Sequence, residues 1–66
     1  MSKLLDREQV AQYLKVAPIT VDRLRSAGKL SGFKIGNRKG VRFRQEDVED
    51  YVEREIAAER QARQPA

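Results

Sequence analysis

The apolar positions of this chain follow two different periods, and the changes between them divide it into elements. Val10, Ala11 and Leu14 recur at helical spacing and predict a helix over about 7–15. Asp6 is placed to cap that helix by accepting from the backbone N–H of Glu8 or Gln9. Gln9, three residues after the cap, supplies the reciprocal half of a capping box, while Leu5 and Val10 flank the cap as a hydrophobic staple. Val16-Ala17-Pro18 ends the helix: proline disfavours a helical residue before it, yet suits the first position of a new helix. A second helix is predicted over about 18–27, closed by Gly28 as a left-handed cap. Val21 and Leu24 form its inward side. Ile19, Thr20, Arg23 and Ser26 are offered to solvent or a ligand, with Asp22 and Arg25 on the flanks. Two short helices across a tight turn are a helix-turn-helix candidate, although the same spacing also describes a plain helical hairpin.

From Gly32 the period changes to two. Gly32-Phe33-Lys34-Ile35-Gly36 and Val41-Arg42-Phe43-Arg44 predict two strands, about 32–36 and 41–44. Alternation within each strand puts Phe33, Ile35, Val41 and Phe43 on one expected face and Lys34, Arg42 and Arg44 on the other. The intervening Gly36-Asn37-Arg38-Lys39-Gly40 supplies the positive-φ residues of a tight hairpin and carries two adjacent cations at its tip. Folding alone does not call for that pair of charges, whereas a phosphate beside the tip does. The hairpin reads as a two-stranded wing. Beyond it, Val48, Tyr51, Val52 and Ile56 return to helical spacing and predict a third helix over about 45–58, with Glu46 and Asp47 at the positive end of its dipole. Residues 59–66 are expected to fray, leaving one domain over 1–56.

Composition narrows the chemistry. With 66 residues and 39% apolar content, the expected core is small and leaves no mass for a deep substrate cleft. There is no cysteine and no histidine, which excludes disulfides, Cys/His zinc sites and nucleophile–histidine catalysis. The paired acids Glu46/Asp47 and Glu49/Asp50 read as a helix start and a solvated face rather than acid–base machinery. The chain is therefore expected not to be an enzyme, and no cofactor is implied. No apolar run approaches the roughly 20 residues of a membrane span, nor is there an apolar signal region, so a cytoplasmic location without membrane attachment is expected.

The net charge of +4 conceals an asymmetry: residues 1–44 carry a net +8 and residues 45–66 a net −4. Eight cations and no acid fall between Arg23 and Arg44. Such a field attracts a polyanion before any specific contact forms; the competing reading is a solvated basic surface. The acidic third helix cannot lie on DNA.

In that order, the pieces resemble a known family. Leu4-Leu5-Asp6-Arg7-Glu8-Gln9-Val10-Ala11-Gln12-Tyr13-Leu14-Lys15-Val16 looks like the opening of excisionase-type, MerR-like winged-helix domains. Thr20-Val21-Asp22-Arg23-Leu24 resembles their second helix. Phe33-Lys34-Ile35-Gly36-Asn37-Arg38, with Val41-Arg42-Phe43-Arg44-Gln45-Glu46-Asp47-Val48, resembles their wing and third-helix entry. The likeness covers about residues 4–54. It implies a mainly helical α+β fold, a small winged helix-turn-helix with a two-stranded antiparallel wing and a C-terminal third helix. It further implies a phage or mobile-element recombination directionality factor that binds tandem sites on double-stranded DNA cooperatively, bends them and directs an integrase toward excision. An integrase and neighbouring copies of the chain are then the expected protein partners. A small transcriptional regulator or a small-terminase-like DNA-recognition module is the alternative. Ala17-Pro18-Ile19 departs from the pattern, since the family usually has a small polar cap there.

The expected contacts follow from side-chain chemistry. Arg23 can pair bidentately with guanine, and Thr20 can meet a base edge or a thymine methyl. An internal ion pair of Arg23 with Asp22 or Glu8 is the competing use. Ile19 suits a thymine methyl or packing beneath the N-terminal arm, and Arg25 and Ser26 suit phosphate. On the wing, Asn37, Arg38 and Lys39 are expected at the minor groove, with Lys34, Arg42 and Arg44 on the flanking phosphates. Tyr13, Phe33, Phe43 and Tyr51 are expected in the core.

Overall fold

A computed structural model of the chain describes residues 3–36 and 40–63. In order along the chain these form β1 (Leu4–Asp6), α1 (Arg7–Leu14), α2 (Pro18–Ser26), β2 (Gly32–Lys34), β3 (Val41–Arg44) and α3 (Gln45–Arg63). The fold is mainly helical, and a small antiparallel sheet closes one side of it. The sheet has three strands rather than the expected two, in the order β1-β3-β2. β1 escapes the periodic reading because it is only three residues long and its Leu5 and Asp6 already serve as staple and cap. Pairing Leu5 with Phe43 brings the N-terminal segment onto the free edge of β3.

The start of α1 is built as the sequence specifies. The Gln9 N–H donates to the Asp6 carboxylate at 2.8 Å, and the Asp6 N–H donates to the Gln9 side-chain carbonyl at 2.9 Å, which completes the capping box. Lys15 ends the helix in a left-handed conformation, φ 58°, one residue after Leu14. α2 begins at Pro18 behind Ala17, whose side chain makes no capping hydrogen bond. It finishes in a Schellman motif: the Gly28 N–H donates to the Arg25 carbonyl and the Lys29 N–H to the Leu24 carbonyl, with Gly28 at φ 78°.

Leu5, Val10, Ala11, Val21, Leu30, Phe43 and Val48 form the buried core, and Leu14, Leu24, Val41 and Tyr51 pack against it. Leu30 carries no periodic signal, because it stands in the α2–β2 connection. Gly32 is required where β2 crosses Phe43: a Cβ there would lie 2.8 Å from the Phe43 ring and from a Val41 methyl. α3 runs to Arg63, past the expected end near 58. It leaves the core after Val52 and gives the molecule a 50 Å long axis against 27 and 19 Å across.

The sheet register corrects the expected faces. Phe33 stands opposite Arg42 and Lys34 opposite Val41. Residues directly opposed in an antiparallel pair project to the same side, so a one-residue difference in register exchanges the faces of a strand. Each strand alternates as expected, but Phe33 joins Arg42 and Arg44 on the outer face, whereas Lys34 is on the side of Val41 and Phe43. Phe33 is accordingly 41% exposed and Ile35 48%. Tyr13, also expected in the core, is 48% exposed. Of the four aromatics, Phe43 is buried and Tyr51 half-buried, its hydroxyl donating to Glu55.

Candidate nucleic-acid interface

Val21, on the inner side of α2, is fully buried, and this fixes what the helix shows to solvent. At 100° per residue the opposite side is the stripe Ile19, Asp22, Arg23 and Ser26, at i, i+3, i+4 and i+7. All four are exposed, Ile19 at 51%. Thr20 is not on this stripe. It is half-buried and lines an apolar groove of about 520 Å³ together with Leu14, Val16, Leu24 and Tyr51, between α2 and α3. Asp22 takes the place on the stripe that the sequence reading gave to Thr20. The two residues lie on opposite flanks of Arg23, and a wheel alone does not say which flank the rest of the protein will cover.

Arg23 forms no ion pair with Asp22 or Glu8. Asp22 is instead taken by Arg7, the first residue of α1, whose Nε donates to the Asp22 Oδ1 at 2.9 Å. Among the described residues Arg23 has no hydrogen-bonding or ionic partner, so its guanidinium is free on the outer stripe. The Arg7–Asp22 pair joins residues 15 positions apart, and nothing in the local pattern signals it.

Beside the stripe, a cleft of about 550 Å³ separates α2 from β3. Arg7, Arg25 and Arg42 line it with Ser26, so cations from α1, α2 and the wing strand share one opening with the acids Asp6, Glu8 and Asp22. Arg42 is steadied there by donation from its Nη1 to the Val41 carbonyl at 3.2 Å. Arg25 passes close over Gly32, where an added Cβ would meet its Cδ at 2.9 Å.

The remaining wing positions divide. Arg44 is tied to the start of α3: its Nε and Nη2 donate to the two carboxylate oxygens of Asp47 at 3.0 and 3.2 Å, and its Nη1 lies 3.3 Å from Glu46. The hydrogen bond to Asp47 and the nearby negative charges raise its pKa further, so it stays charged, but that charge is matched within the protein. Lys34 is exposed at the end of the sheet, on the side away from Arg42 and Arg44. Asn37, Arg38 and Lys39 lie outside the described residues. The described residues contain no cluster of three or more acidic, histidine or cysteine side chains able to hold a metal ion, and no helix long and apolar enough to cross a membrane.

Two short helices in tight succession, the second with an open outer stripe and a strand wing on its flank, define the winged helix-turn-helix class of DNA-binding folds. The chain belongs to the helix-turn-helix domain family, which matches it over residues 4–55. It is 36% identical over 50 residues to the transcriptional repressor DcmR of Methylorubrum extorquens; the aligned part is 76% of this chain and 19% of that protein. The chain thus spans about a fifth of the length of this relative. No solved structure matches it.

Proposed function

We propose that the protein binds double-stranded DNA sequence-specifically, with α2 in the major groove and the wing against the adjacent minor groove, as an accessory factor of the excisionase type. The observation that carries this reading is Arg23, without a partner among the described residues, on the outer stripe of α2 beside a cleft that Arg25 and Arg42 both line. Arg23 then reads guanine and Ile19 meets a thymine methyl. Arg25, Ser26 and Arg42 take the phosphates between the grooves. Arg38 and Lys39, with Asn37, approach the minor groove, and Lys34 follows the backbone at the edge of the wing. Thr20 faces α3 and Arg44 is matched by Asp47, so neither is counted among the principal contacts.

Helix and wing neutralise phosphates on one side of the duplex, which favours curvature toward the protein. The long acidic α3 stays clear of DNA and is the surface left for an integrase or a neighbouring copy. A single domain presents a small interface, so tandem occupancy would supply the affinity. A regulatory role is the second reading, favoured by the similarity to a transcriptional repressor.

Salt dependence of duplex binding is the primary test. About six phosphate contacts give a log–log slope near −5, from roughly −0.9 per contact. A flat slope, or no binding at low salt, would overturn the DNA reading. Footprinting separates the roles: cooperative filling of tandem repeats beside a recombination site supports the excisionase reading, and one inverted site over a promoter supports the regulator.

A further inference from the structure

We infer that Asp22 reads a base in the major groove and that Arg7, reaching across from α1, positions its carboxylate for that contact. The inference rests on the DNA-binding reading above and names a specificity residue within it. Between Glu8 and Glu46, Asp22 is the only acid in the chain. It stands on the outermost stripe of α2, next to Arg23, where a bare carboxylate would repel the phosphates that the surrounding cations attract. An acid in that position is costly to binding unless its charge is offset and its oxygens are used.

The structure provides for both. Arg7 donates a hydrogen bond from Nε to Oδ1 at 2.9 Å, which places a full positive charge against the carboxylate and fixes its orientation. Oδ2 has no hydrogen-bond partner among the described residues. Arg7 itself is held at the first turn of α1 by the capping box of Asp6 and Gln9 and by the pairing of β1 with β3. The carboxylate therefore approaches DNA as an oriented, acceptor-only group. In the major groove the donors are the exocyclic amines of cytosine and adenine, and because the adenine amine stands beside the N7 acceptor, which repels a carboxylate, cytosine is the better complement. A purely stabilising role does not account for the pair. Its side chains are 42% and 48% exposed, and ion pairs at such exposure contribute little to folding.

The experiment is selection from a randomised duplex pool with the full chain, followed by titration of single-position variants of the selected site. The unaltered protein should prefer cytosine at one position by about fivefold or more, the low end for a good base contact. Asp22→Ala should abolish that preference. Asp22→Asn should move it toward adenine, which an amide can bond bidentately. Arg7→Ala should relax the same position alone, and Arg7→Lys should retain the preference, because it keeps the charge beside the carboxylate. Unchanged thermal unfolding of Arg7→Ala would separate positioning from folding. If Asp22→Ala and Arg7→Ala change affinity equally for every duplex, the inference fails while the DNA reading stands. Absence of duplex binding by the unaltered chain would remove the DNA reading itself.

Discussion

Lys15 is the one non-glycine residue with positive φ among the described residues, at 58°. It terminates α1 so that the Val16 N–H can donate to the Ala11 carbonyl at 3.0 Å and the chain can turn into α2. A side chain in that conformation costs about 1–2 kcal/mol, whereas glycine there costs only the chain entropy of about 0.5–1 kcal/mol. Lys15→Gly should therefore stabilise the protein by about 0.5–1 kcal/mol, read as a higher unfolding midpoint. A lower midpoint would mean that the aliphatic stem of Lys15 contributes more than the strain it carries. The same scale shows how much a sequence reveals of single residues. Gly28, Asp6 and Gln9 were legible because their roles depend on neighbours within four positions. The partner of Asp22 was not, since Arg7 lies 15 residues away and the adjacent Arg23 was equally available on the sequence.

At the scale of elements, α2 starts without a side-chain cap. Ala17 has extended backbone angles, φ −69° and ψ 149°, suited to a capping residue, but no side-chain oxygen to accept from the first turn. Ala17→Ser should add about 1 kcal/mol, measured by chemical denaturation, with Pro18 already organising the turn. Because Ala17 is exposed and lies before the stripe, base preference should be unchanged. All three helices were legible from apolar spacing and punctuation. The sheet was legible as two alternating strands but not as a paired object. Alternation says that Phe33 and Lys34 face opposite ways; only pairing to β3 says which way each faces. Gly32 settles the matter, because the one residue of β2 without a side chain lies against Phe43, and this puts Phe33 outside.

Across the whole molecule, stability rests on few side chains. Val10, Val21 and Val48, one from each helix, are fully buried in the same core cluster. Val21→Ala removes two methyl groups there and should cost about 2–3 kcal/mol, from roughly 0.8 kcal/mol per buried methylene plus the cavity left behind. For a domain this small that is a large share of a total of roughly 3–5 kcal/mol, so the urea midpoint should fall steeply and DNA binding should weaken only through unfolding. A mild effect would mean that the core collapses around the gap. The charge division belongs to this scale as well. The net +8 of residues 1–44 and the −4 of residues 45–66 are properties of sequence, and the whole −4 sits on Glu46, Asp47, Glu49 and Asp50 in the first turns of α3, because residues 53–66 hold three arginines against three acids.

Local sequence dictates where each of the three helices starts, the caps, the break at Pro18 and the basic segment that follows, because each is set by interactions within a few residues or by summed charge. Four further features come from tertiary packing. It added β1 to the sheet, turned Phe33 outward, moved Thr20 into the groove beside α3 and brought Arg7 to Asp22 on the outer stripe. Each depends on which surface the rest of the chain covers, and local spacing carries no information about that.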